Sequence, residues 1–100
     1  MTLSKKEQYK RLNNYTENKW IEVLEPITNI HLKRKLACIL FWDFYGEIDK
    51  KSIYLKRLSR EYFPKSHDIF VTENELYKGL LSIGYPAWRA RIRSTTPKTH

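Results

Sequence analysis

The chain holds 100 residues, 41% of them apolar, enough for one domain with a real core; two domains, global disorder and a disulfide-stapled miniprotein are excluded. Nineteen Lys and Arg against eleven Asp and Glu leave a net charge of +8, which points to a polyanionic partner ahead of a catalytic task. Cys38 is the lone cysteine, and the longest apolar run, residues 36–42, falls well short of the roughly 20 residues of a membrane span, so a cytoplasmic, reducing setting with no membrane partner is expected.

Ser4 with Glu7 forms a capping box, so a helix should begin near Lys5. The apolar spacing Tyr9, Leu12, Tyr15 slips at Asn13 and Asn14, which predicts a kink there and a restart capped by Asn14, ending at Glu25 before Pro26. Trp20 should pack these first helices onto the next. Asn29 is the next N-cap, and residues 30–45 form the central helix, apolar on most sides and stopped by Gly46. Its first turns carry His31, Lys33, Arg34 and Lys35, cations that a helix N-terminus disfavours, so an anion nearby is implied.

Asp49 is expected to cap a third helix running to about Tyr62, with Ile53, Leu55 and Leu58 inward and Pro64 ending it. A loop over 64–68 and an extended run at 69–71 lead to Thr72-Glu73-Asn74-Glu75, a second capping box flanked by Val71 and Leu76. That fourth helix should stop at Gly84. After Pro86 the pattern is ambiguous: a helix is favoured, but Trp88 to Arg93 also alternates like a strand that would pair with 69–71. The expected architecture is therefore all-α, a compact single domain of four to five helices over 1–93 with a flexible tail over 94–100. Its core is expected at Leu36, Leu40, Phe41, Phe44, Leu55, Leu58, Leu76 and Leu80.

Catalytic and metal-binding signals are sparse. His31, His67 and His100 have no acidic residue at ligand spacing, and three glycines cannot build a phosphate loop. Asp43, Glu47 and Asp49 could hold a divalent cation, but capping, solvation and pairing of Asp43 with an Arg explain them better. His67-Asp68 reads as a polar loop. No enzymatic activity, cofactor or metal is expected.

The basic residues carry the functional expectation. Arg89, Arg91 and Arg93 alternate with Trp88 in a stretch free of acids, so arginine forks would bind phosphate and the indole would pack on sugar or base. Lys33, Arg34 and Lys35, or Lys56, Arg57 and Arg60, would add phosphate grips. A helix, the Gly84 turn, apolar Tyr85 and a basic second helix at Pro86 resemble the helix-turn-helix pattern of many transcriptional regulators. The chain departs from it at Leu80, where a small residue is wanted, and at Ile92, one place out. The expected function is a non-enzymatic regulator of transcription or replication that binds nucleic acid, duplex DNA ahead of RNA, in the setting of a phage or other mobile element. The alternative is a protein-interaction adaptor or inhibitor that docks on an acidic or nucleic-acid-binding partner through Trp42, Tyr54 or Trp88, with a homodimer also open.

Overall fold

The computed structural model describes residue 7 and residues 10–44 and 52–95. They form six α-helices and two 3-10 turns with no strand, so the architecture is all-α, with more helices than the four to five expected and without the β element at 69–71 and 88–92. The radius of gyration, 13.0 Å, is that of a compact single globule.

The first element is a 3-10 turn, Arg11–Asn14, which buries Leu12. Asn14 belongs to that turn and lacks the extended backbone an N-cap needs, so the cap of α1 (Glu17–Leu24) is Thr16 instead, whose hydroxyl accepts from the N–H of Lys19 at 3.2 Å. Trp20 and Leu24, four apart, form its buried stripe.

Asn29 starts α2 (Ile30–Asp43) as expected: its Oδ1 accepts from the N–H groups of His31 and Leu32, two donors that a first helical turn leaves unpaired. Leu32, Leu36, Ala37 and Leu40 are buried along it, and Phe44 closes its end. Tyr45, Gly46 and Asp49, expected at the end of this helix and the start of the next, lie outside the described residues.

Ser52, itself buried, caps α3 (Ile53–Arg60) by accepting from the N–H of Leu55 at 3.1 Å, the role expected of Asp49. α3 makes the most extensive packing of the fold, against α2. Pro64 opens a further helical turn, α4 (Pro64–His67), because its fixed φ suits a first helical position. A second 3-10 turn, Asp68–Phe70, replaces the expected extended run, closed by the N–H of Val71 donating to the Asp68 carbonyl.

The Thr72 capping box forms as expected: the N–H of Glu75 donates to the Thr72 hydroxyl at 3.1 Å, and the N–H of Thr72 donates to the Glu75 carboxylate at 3.2 Å. The Asn29 amide also donates to that carboxylate and to the Phe70 carbonyl, which fastens the start of α2 to the start of α5 (Glu73–Ile83). Gly79 brings the two helices together, since a Cβ there would stand 3.1 Å from a Leu36 methyl. At the far end Gly84 takes φ 117°, and the N–H groups of Gly84 and Tyr85 return to the carbonyls of Leu81 and Leu80.

That closure turns Tyr85 into the core and sets α6 (Ala87–Ser94) back against α5. The helical reading of this segment is the correct one. Pro86 sits just before the first helical residue, and Ser94 is a buried last residue of the helix, not the first of the tail; residues 96–100 lie outside the described set. Of the expected core, Leu36, Leu40, Phe44, Leu55, Leu76 and Leu80 are buried, while Phe41 and Leu58 are only partly so. Leu12, Trp20, Leu24, Leu32, Ala37, Ile83, Tyr85 and Ala90 complete the core among the described residues.

Candidate nucleic-acid interface

Successive helical residues turn by about 100°, so three cations in a row cannot share one face. Lys33, Arg34 and Lys35 accordingly splay around α2, and each meets a carboxylate from a different part of the chain. Lys33 pairs with Glu25 after α1 at 3.5 Å, Arg34 with Glu61 after α3 at 2.9 Å, and Lys35 with Asp68 at 2.9 Å. The anion implied by cations at a helix N-terminus is internal. These three pairs tie the neighbouring segments to α2.

The C-terminal arginines divide in the same way. Asp43, at the end of α2, has a side chain only 1% exposed. It accepts from the Tyr85 hydroxyl at 2.6 Å, from Arg89 Nη2 at 3.3 Å and from Arg93 Nε at 3.2 Å, and the Arg93 Nη2 completes a bidentate fork. Two cations offset a carboxylate that a helix C-terminus would otherwise disfavour. Arg89 and Arg93 lie four apart on one face of α6, so both reach it; Arg91 points elsewhere and stands 4.9 Å from the ring centre of Tyr77. The three arginines therefore do not form one outward row, and the pairing of Asp43 with arginine that the sequence suggested is made by Arg89 and Arg93. Trp88 is half-buried.

Tyr54 and Trp42 do not stand together. The N–H of Tyr54 donates to Glu17 and its hydroxyl to Glu25, both on the α1 side, and burial, followed by the Glu25 bond, raises its pKa. Trp42 lies seven residues after Lys35, on the Asp68 side of α2, and is 74% exposed. Burial pushes the Cys38 thiol up, and neighbouring Trp42 only partly opposes it. Tyr62 donates to Asp68, which also holds Lys35, so that carboxylate anchors the 62–70 segment on α2; the side chain of His67 lies outside the described set. Burial, then Asp68, raises the Tyr62 pKa.

The outward face of α3 differs from all of these. Ile53, Lys56, Arg57 and Arg60 fall at spacings of three, four and seven, one side of a helix, and with Glu61 they line an open groove of about 350 Å³. Arg57 and Arg60 are exposed and have no carboxylate partner among the described residues. Ile53, expected inward, is 71% exposed, because the inward stripe passes through Leu55 and Leu58 instead. Nothing in the sequence separated this trio from the one on α2 except its spacing.

Comparison with protein families, characterised proteins and solved structures finds no match. The functional reading therefore rests on the chemistry of these side chains. Among the described residues no group of three or more His, Cys, Asp or Glu is placed to hold a metal ion, and no helix is long and apolar enough to cross a membrane. Asp43 is taken up by arginines; Glu47 and Asp49 lie outside the described residues.

Proposed function

We propose that this is a non-enzymatic nucleic-acid-binding protein that grips the phosphate backbone of duplex DNA with Lys56, Arg57 and Arg60 on α3. The observation that carries the reading is the division of the cations: those of α2 and four-apart Arg89 and Arg93 are offset by internal carboxylates, whereas Arg57 and Arg60 are exposed and unoffset on one helical face. The surplus of +8 then belongs to the remaining cations, and in the sequence Lys50, Lys51 and Lys65 flank this same helix. Among the described residues the exposed aromatic rings lie off α3 itself, which suits backbone contact on a duplex better than stacking on unpaired RNA bases. The helix, Gly84 turn and helix order of α5 and α6 supports a regulator of transcription or replication, with Arg91 as the outward cation of α6 and Trp88 one turn before it.

A mobility-shift titration with duplex DNA and structured RNA in parallel tests this. Three phosphate contacts predict an affinity loss of about fortyfold between 50 and 200 mM salt. The variant Lys56→Glu, Arg57→Glu, Arg60→Glu should abolish the shift while keeping its helical circular dichroism. Undiminished binding by that variant would place the interface elsewhere, and a preference for RNA would change the class of ligand. Failure with both nucleic acids would favour the adaptor reading, in which the same face meets an acidic protein surface.

A further inference from the structure

One carboxylate among the described residues stands in the groove on α3. Glu61 lines it together with Lys56, Arg57 and Arg60, and of the three carboxylates that the cations of α2 hold, it is the one that does so. It is the residue that closes α3, where the backbone carbonyls of a helix end favour a cation and disfavour an acid. Its place is held from the other side: Arg34, on α2, donates from Nη2 to the Glu61 Oε2 at 2.9 Å. The Arg34 side chain is 25% exposed and that of Glu61 45%, so the pair lies at the surface and adds little to stability. Its effect on an arriving phosphate is larger. Glu61 repels the phosphate, and it also engages the cation that would otherwise be the fourth of the grip.

We infer that Glu61 is a built-in brake on the α3 groove: bound to Arg34, it keeps that arginine out of the phosphate grip and holds the affinity for duplex DNA below that of four free cations. This regulation presupposes the phosphate reading of α3. The two members of one ion pair then act on binding with opposite sign. A purely structural pair is broken alike from either side. A brake is released when the acid is removed and strengthened when the arginine that screens the acid is removed. Salt enters in the same way, because a released Arg34 neutralises one further phosphate and displaces the counterions that phosphate held.

Mobility-shift titrations of the full chain with one duplex DNA at 50 and 200 mM salt are the test. Glu61→Gln removes the charge, keeps the shape and frees Arg34, so binding should tighten about tenfold at 50 mM salt and about threefold at 200 mM, and the loss between the two should steepen from about fortyfold to about 150-fold. Arg34→Ala leaves Glu61 unscreened and should weaken binding at least about threefold at 50 mM salt. The double variant Arg34→Ala, Glu61→Gln should bind within about twofold of the wild type, since it removes both charges. Glu73→Gln makes the same change in net charge at an exposed site on the first turn of α5, outside the groove, and should move the affinity by less than about twofold. A Glu61→Gln chain that binds as the wild type does, or gains no more than Glu73→Gln, overturns the brake. Weakening by both Glu61→Gln and Arg34→Ala overturns it equally, because it marks a structural pair. The reading beneath it fails separately: if the variant Lys56→Glu, Arg57→Glu, Arg60→Glu binds undiminished, or the wild type binds no duplex, the phosphate site on α3 falls and the brake with it.

Discussion

Helices α2 and α3 each carry three cations, but all three on α2 meet internal carboxylates, whereas Arg57 and Arg60 on α3 stay exposed. On α2 they are consecutive, so the helical turn distributes them and each finds a carboxylate of Glu25, Glu61 or Asp68. On α3 they sit at positions 56, 57 and 60, which stay on one face turned away from the core. Residue type and local density are the same; spacing and what docks alongside differ. The lesson is that a basic run measures nothing about a ligand until the internal acids are assigned, and the same division recurs on α6, where Arg89 and Arg93 are tied down and Arg91 is not.

The sharpest way to break this contrast is at Asp43. Asp43→Ala leaves two half-buried guanidinium groups and the Tyr85 hydroxyl without their shared acceptor, and should cost about 3 kcal/mol, read as a lower urea midpoint with an unchanged slope. The charge-reversing triple change at Arg89, Arg91 and Arg93, which the sequence pattern alone would place on an indifferent surface, should unfold the chain, since it sets new carboxylates against Asp43. Three reversals on α3 should instead alter stability by about 0.5 kcal/mol or less each. Equal damage from both triple variants would erase the distinction between the two sets.

Smaller effects sharpen it. Arg34→Ala should cost about 1 kcal/mol or less, because the Glu61 pair is partly exposed, and a double-mutant cycle with Glu61→Ala should recover a coupling of that size. Arg91→Ala removes an exposed contact with the Tyr77 ring and should cost about 0.5 kcal/mol in thermal melts. The Glu75 carboxyl is held below its ordinary value, first by the N–H of Thr72 and then by its hydroxyl. Its contribution is therefore fully present above the ordinary glutamate range and is lost as pH falls through the lowered value of the folded state. Melting temperature against pH should show this acid-side loss in the wild type and a shallower one in Glu75→Gln.

Much of the fold was legible because its signals are local. A capping box closes over four residues, Asn29 satisfies donors two and three residues on, and Gly84 relieves strain at its own φ, so Thr72, Asn29 and Gly84 could be placed from sequence. The candidate trio on α3 could also be named, as one of three groups, and helical geometry alone separated Arg91 from Arg89 and Arg93. Where two local choices competed, local signals misled: Asn14 lost its cap to Thr16, Pro64 opened a turn instead of ending one, and 68–70 wound into a 3-10 turn.

Only the tertiary structure decided which cations are spent. Arg93 meets Asp43 fifty positions away, and Lys35 meets Asp68 thirty-three away. The energy of an ion pair depends on separation and burial, and neither exists until the helices dock. The exposure of Trp42 has the same origin. Local sequence determined where the helices of this chain begin and end; packing around α2 determined which of its charges and aromatic rings remain for a partner.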